Sequence, residues 1–415
     1  MSEPRVRFAD ALPATADVVI IGGGVIGCAT AFFAARAGLR VLVLERHAAL
    51  GTLTTAASTG AFRLQFDNPE EIATVREGVE LFDDFAARTG LDGWDLRVRH
   101  GGYLFCSLTE ATVDRSRRLL ERQRTWGLTD VELLAGDEAR ARWPWLSVDV
   151  RGARYRPGDG WLDPKRLTVG YATAASNPDR IPDVVAGGGA TFATRAGVTE
   201  IAIDGDHVSG VRTTRGDVAA PTVIVAAGPF TARVAAFAGV EVVLRPTRRQ
   251  KLVIPELPSV PRDAPMTIEE ETSAHWRPAM NGCLALFTDP DTQASEPHDP
   301  VPIENDWAFG LLDPGSEHAL ARVAPFWREA WADGASSVHW YLQAGQYEYT
   351  PDRRPYLGAI GPTGLYLNGG YSGHGIMGGA GGSRLVIDLL TGAADAETNP
   401  FRPDRAFEDR EHDIL

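Results

Sequence analysis

Lysine is close to absent from this chain: its 415 residues hold only Lys165 and Lys251. Arginine must therefore make nearly every cationic contact that the fold or a ligand requires. Cysteine is as scarce. Cys28, Cys106 and Cys283 stand far apart, with no CxxC or metal-ligand spacing, which excludes a disulfide framework and gives no zinc site. Positive charge is in deficit too. A formal net charge of −14 and a pI near 5.2 exclude the basic face that a nucleic acid demands, and an anionic membrane would repel such a surface. No apolar run reaches the ~18 residues needed to span a bilayer. Residues 1–16 lack the positive start and apolar core of a secretory leader, so a cytoplasmic location is expected.

What is present is globular. Hydrophobic residues make up 44% and charged residues 23%, enough for a large core and a wet surface, and the length suits two domains. The opening segment is the most informative. Asp17-Val-Val-Ile-Ile21 reads as a buried strand, 25–37 as an Ala-rich helix and 40–45 as a second strand, giving a βαβ unit. At its first turn stands Gly22-Gly23-Gly24-Val25-Ile26-Gly27, a G-x-G-x-x-G. Gly22 would make the tight turn, Gly24 would admit a pyrophosphate, and Gly27 would let helix and strand pack closely. Glu45 closes the second strand at the distance suited to a ribose diol.

Further along, helices are expected over 69–89, 109–127, 316–331 and 383–390. Strands are expected over 101–106, 219–228, 251–254, 283–287 and 364–370, and a surface loop over 288–302.

An ordered series of motifs then extends the pattern: Gly160-Trp-Leu-Asp-Pro164, Val223-Ile-Val-Ala-Ala-Gly228, Tyr349-Thr-Pro-Asp-Arg-Arg-Pro-Tyr-Leu-Gly358 and Gly370-Tyr-Ser-Gly-His-Gly-Ile-Met377. With the N-terminal unit, this series resembles the flavoprotein superfamily of D-amino-acid oxidase, glycine oxidase and sarcosine oxidase over most of the chain. The resemblance implies α/β and α+β architecture: a Rossmann-like FAD domain of separated segments (1–60, 151–235 and 346–415) and a substrate domain with an antiparallel sheet (61–150 and 236–345). It implies that Glu45 and Arg46 hold the adenosine ribose and Val198 the adenine. Thr54, Thr55 and Thr59, with Gly60, Ala227 and Gly228, would line the pyrophosphate or flavin edge. Gly373, His374, Gly375, Ile376 and Met377 would lie against the isoalloxazine, at the start of a helix whose dipole suits reduced flavin.

Arg63 aligns with the arginine that grips the substrate carboxylate in monomeric sarcosine oxidases, a task suited to a guanidinium fork. Tyr347, Trp276, Arg277, His275 and Tyr103 complete the expected pocket, with Arg277 in place of a second cation. Departures matter as well. Gly345 stands where those oxidases attach flavin through cysteine, and residues 51–67 contain no histidine, so FAD is expected to be non-covalent. Met377 replaces a carboxylate-binding lysine, and Tyr347 stands where glycine oxidases have an arginine. The oxygen-activating lysine has no counterpart after Lys251, leaving oxygen, a quinone or a protein carrier open as acceptor. The expected reaction is oxidation of the C–N bond of a small secondary amine or amino acid. A 2-hydroxy-acid dehydrogenase and a flavin subunit of an electron-transfer complex are the alternatives.

Overall fold

The computed structural model describes residues 3–289, 291–332 and 339–407. The apolar run after Asp17 forms the strand Val18–Ile21, and Arg40–Leu44 lies parallel to it. Between them runs the helix Val25–Arg36, buried along nearly its whole length. A helix apolar all round belongs inside, and this one packs between Pro164–Ser176 and Gly375–Thr391 on one face of the sheet.

That sheet has six strands in the order Tyr356–Ala359, Leu365–Gly369, Val223–Val225, Val18–Ile21, Arg40–Leu44, Gly189–Ala193. All neighbours are parallel except the outermost pair, Tyr356–Ala359 with Leu365–Gly369. Parallel strands covered on both faces carry continuous apolar runs, which is why these were readable in the sequence. The second face is covered by a three-stranded antiparallel sheet, whose Ile201, Val208 and Val218 share a core with Val19, Leu42 and Val223.

A second sheet of eight strands runs Tyr341–Tyr349, Arg245–Ile254, Gly282–Leu286, His275–Ala279, Met266–Glu269, Tyr103–Ser107, Gly152–Arg156, Glu132–Ala135. Its pairs are antiparallel, apart from Met266–Glu269 beside Tyr103–Ser107. Two expected boundaries move. Gly152–Arg156 pairs with Tyr103–Ser107, so the return placed at 151 comes after residue 156; the boundary at 346 would cut Tyr341–Tyr349, which pairs along its length with Arg245–Ile254.

Two expected helices differ as well. Instead of one helix over 316–331 there are Trp307–Leu312, a single 3-10 turn Leu320–Arg322 and Phe326–Ala332, because Pro314 and Pro325 interrupt the chain. The helix expected from 383 starts at Gly375. Its glycines disfavour helix in isolation, yet here they permit contact. A Cβ on Gly381 would sit 2.4 Å from the Thr74 carbonyl oxygen, and one on Gly78 would sit 2.6 Å from that of Met377. The helices Pro69–Asp83 and Gly375–Thr391 therefore cross almost backbone to backbone, and packing outweighs propensity.

Candidate cofactor and substrate site

The glycine turn has the shape its spacing promises. Gly22 adopts φ +118°, and a Cβ at Gly27 would lie 1.8 Å from the Gly22 carbonyl oxygen, so neither position accepts a side chain. Gly24 is the N-cap of Val25–Arg36. It lacks a side-chain cap and no acid follows in the first turn, so the positive end of the helix stays available. Thr55 Oγ1 accepts from the Val25 N–H at 3.2 Å. The Glu45 carboxylate accepts from Gly23 N–H at 2.9 Å and His47 N–H at 2.7 Å, tying the second strand to the turn. The Arg46 guanidinium lies 3.9 Å over the Phe230 ring and pairs with Asp299 at 2.7 Å. Asp299 belongs to the expected surface loop, which here reaches back to the first domain.

These residues wall one long groove. Gly22, Gly24, Val25, Ile26, Glu45 and Arg46 line it near the turn; Thr54, Thr55, Val198, Ala227 and Gly228 follow; Tyr347, Gly373, Gly375 and Ile376 also contribute to its wall. Gly375–Thr391 starts there after His374, again with no side-chain cap and no acid in its first turn. Two helix N-termini whose N-cap residues offer no side-chain cap lie on one groove, and a Cβ at Gly24 would meet nothing nearer than Thr55 Oγ1 at 3.5 Å, which fits a dinucleotide that carries negative charge.

Five of the expected cofactor residues stand outside the wall. Gly27 acts through packing, as its spacing implied. Gly60 accepts from Leu162 N–H at 2.9 Å and Thr59 faces a neighbouring cavity. Met377, one helical step from Ile376, turns into the core. His374 turns toward Arg63.

Arg63 is buried, its Nη2 3.3 Å from His374 Nε2, its Nη1 donating to the Gln65 carbonyl at 2.9 Å, and its Cζ 4.7 Å over the Phe66 ring. Burial lowers its pKa, opposed by the nearby Tyr103, Asp159 and Glu71. Tyr347 covers Gly373 so closely that a Cβ there would meet its ring at 2.5 Å. Burial pushes the Tyr347 phenol up to about 12, so it stays protonated at neutral pH. His275 Nδ1 donates to the Ser273 carbonyl at 2.6 Å, and burial lowers its pKa to about 4. Arg63, Tyr347, His374 and Tyr103 thus gather at one place.

Trp276 does not join them. Side chains alternate along the strand His275–Ala279, so Trp276 points away from His275, into an aromatic core with Trp145, Phe326 and Trp327. Arg277 lies near enough to Tyr103 for their charges to interact, but its Nε donates to the Thr59 carbonyl at 3.1 Å and its Cζ sits 5.1 Å over Trp161, and it lines the neighbouring cavity.

A buried ionic network escaped the sequence reading. Arg154 is fully buried, pairs with Glu270 at 3.0 Å and donates to Gln65 Oε1 at 2.8 Å. Asp159 accepts from Leu64 N–H and from Gln65 Nε2, each at 2.9 Å, and pairs with Arg156 at 2.6 Å. Burial holds the Asp159 carboxyl above its ordinary value despite Arg156. The network clamps both sides of Gln65 and fixes the segment that carries Arg63. Its only sequence trace is charge inside the short strand Gly152–Arg156.

Among the described residues all three cysteines are free and buried, none lines the groove, and no cluster suits a metal ion. No described helix is long and apolar enough to cross a membrane.

The chain is similar to known proteins in sequence and in fold. Human mitochondrial sarcosine dehydrogenase is 27% identical over 412 residues, covering 94% of this chain and 41% of that protein; this chain thus spans about two fifths of its length. The FAD-dependent oxidoreductase domain-containing protein 1 of Xenopus laevis is 26% identical, covering 93% of this chain and 81% of that protein. Among solved structures, L-proline dehydrogenase from P. horikoshii superposes with a TM-score of 0.78 at 23% identity, covering 93% of this chain and 96% of that one. Glycine oxidase from Geobacillus kaustophilus gives 0.78 at 23% identity, covering 95% and 100%. The sequence model described as FAD dependent oxidoreductase (DAO) matches residues 17–389, and the chain belongs to that family of flavoenzymes.

Proposed function

We propose that the chain oxidises the C–N bond of a small secondary amine or amino acid, such as an N-methyl or cyclic imino acid, giving an imine that water hydrolyses. The observation that carries this reading is the buried Arg63 cation beside His374, whose neighbours Gly373 and Gly375 line the cofactor groove. FAD, when bound, supplies the hydride acceptor. Glu45 and Arg46 would hold its ribose end, the Gly22 to Gly27 turn its pyrophosphate, and the 373–376 segment its ring, without a covalent link.

The remaining work falls to side chains. Arg63 binds a substrate carboxylate through its fork and fixes the carbon that reacts. Tyr347 and Tyr103 enclose the amine and donate from neutral phenols. Burial disfavours the ammonium form, leaving the nitrogen lone pair free to drive hydride departure. The names of the similar enzymes, sarcosine, proline and dimethylglycine dehydrogenases and glycine oxidase, support amino-acid substrates of this size.

Anaerobic mixing with matched pairs, an N-methyl or cyclic amino acid against its 2-hydroxy analogue, tests the proposal. The flavin band should bleach with the amino member of a pair. Bleaching by hydroxy acids alone would transfer the assignment to a hydroxy-acid dehydrogenase.

A further inference from the structure

Beside the cofactor groove lies a second cavity of about 710 Å³, separated from it by the segment 54–59, with Thr55 and Ser58 lining both. Its walls are cationic in a chain whose net charge is −14: Arg97, Arg99, Lys165, Lys251, Arg262 and Arg277 face it, against the single acid Asp163. Both lysines of the whole chain stand there.

The charges are fixed in place by neutral groups. Lys251 is buried and its Nζ donates to the Ser58 carbonyl at 2.9 Å. Arg277, also buried, donates to the Thr59 and Pro278 carbonyls. Arg262 donates to the Met280 carbonyl at 2.6 Å and to Asn281 Oδ1. Carbonyl oxygens orient these cations without cancelling them. Among the described residues, Arg97 alone of the six has a carboxylate partner, Asp163 at 4.0 Å, and it is loose and exposed. Like charges lining one cavity repel one another, and an anion between them would relieve that repulsion.

Thr55, Ser58, Thr59 and Gln343 add neutral polar groups, and much of the remaining wall is aromatic or aliphatic. The Trp161 ring lies beneath Arg277, and Tyr341 and Met280 are 47% and 58% exposed at the rim. Met280 holds that exposed position with φ +54°, a backbone conformation uncommon outside glycine. Apolar rings and an unanchored methionine beside multiple cations suit an organic molecule with an anionic end. A volume of this size holds a ligand of drug or mononucleotide dimensions.

We infer that this cavity is a binding site for a small phosphate-bearing molecule, its phosphate between Lys251, Arg277 and Arg262 and its organic part against Trp161 and Tyr341. Burial, and after it the proximity of Arg277 and Lys165, already lowers the Lys251 pKa to about 8, and a bound phosphate would favour its charged form. The site does not depend on which substrate the flavin side oxidises.

Equilibrium dialysis of the FAD-loaded protein at low ionic strength, with inorganic phosphate, adenosine monophosphate and uncharged adenosine as probes, tests it. Saturable binding of phosphate and of the monophosphate is expected, with adenosine at least roughly tenfold weaker than the monophosphate and with affinity falling as salt is raised. Equal affinity for both phosphates would place recognition in the anion alone; tighter binding of the monophosphate would place part of it on the aromatic wall. The exposed pair Lys165→Glu with Arg262→Glu should weaken the monophosphate at least roughly tenfold while FAD content stays unchanged. Lys251→Met should weaken it further. No saturable binding of either phosphate, or affinities that both sets of substitutions leave untouched, would overturn the site. So would binding that adenosine matches.

Discussion

Arg63 and His374, 311 residues apart in the chain, meet with the guanidinium Nη2 3.3 Å from the imidazole Nε2. A guanidinium has no lone pair to offer, so the contact requires Nε2 to accept and places the ring proton on Nδ1, which lies 3.7 Å from Glu71. The geometry joins the segment after the first cofactor-domain unit to the start of the last helix. It also orients Arg63 toward the place where Tyr347 covers Gly373.

The glycine turn should be intolerant of any side chain at its last glycine, Gly27. Gly27→Val would drive a Cβ to 1.8 Å from the Gly22 carbonyl oxygen, a contact no local shift relieves. The expected product is a chain that folds poorly and purifies without bound flavin, read from the ratio of visible to ultraviolet absorbance. Glu45→Ala, which frees the Gly23 N–H but clashes with nothing, should retain the fold and weaken FAD by about 1–3 kcal/mol.

Removing one member of the Arg154 and Glu270 pair should be costly because the survivor is left buried and charged. Glu270→Ala is expected to destabilise the protein by about 3–5 kcal/mol, measured by denaturant unfolding. The double change Arg154→Met with Glu270→Leu should recover part of that loss. A cost below ~1 kcal/mol for the single substitution would mean that solvent reaches the pair.

Lys251 gives a pH signature. Burial first, then Arg277 and Lys165, lower its pKa from 10.5 to about 8. The unfolded chain then binds more protons than the folded one between about pH 8 and 10.5, so this residue makes stability rise with pH through that window and opposes folding at neutral pH. Lys251→Met should accordingly be more stable than the parent at pH 7, with the difference shrinking as pH climbs toward 10.5. Parallel chemical-denaturation curves at several pH values would register it; a variant less stable at pH 7 would refute the assignment.

Legibility followed periodicity. The βαβ unit, the return strands Val223–Val225 and Leu365–Gly369 and the glycine turn were readable because parallel strands and tight turns leave local marks. What was not readable depends on partners distant in sequence. The helix from Gly375 hides behind glycines that make sense only against Thr74 on another helix, and Trp276 looked like a pocket residue until strand alternation set it on the far face from His275. The ionic network under Gln65 draws on residues 65, 154, 159 and 270, a set that no window of sequence brings together. Arg277 was noticed for its charge, but its direction is decided by the Thr59 carbonyl.

The account rests on Arg63 as the anchor of the substrate beside the flavin. Anaerobic reduction of the parent and of Arg63→Met by N-methyl amino acids, followed side by side, tests this most directly. Loss of the charged fork should cost about 2–4 kcal/mol, so the variant should bleach roughly 30- to 1,000-fold more slowly at limiting substrate while binding the same amount of FAD. Equal rates of bleaching in the two proteins would contradict it.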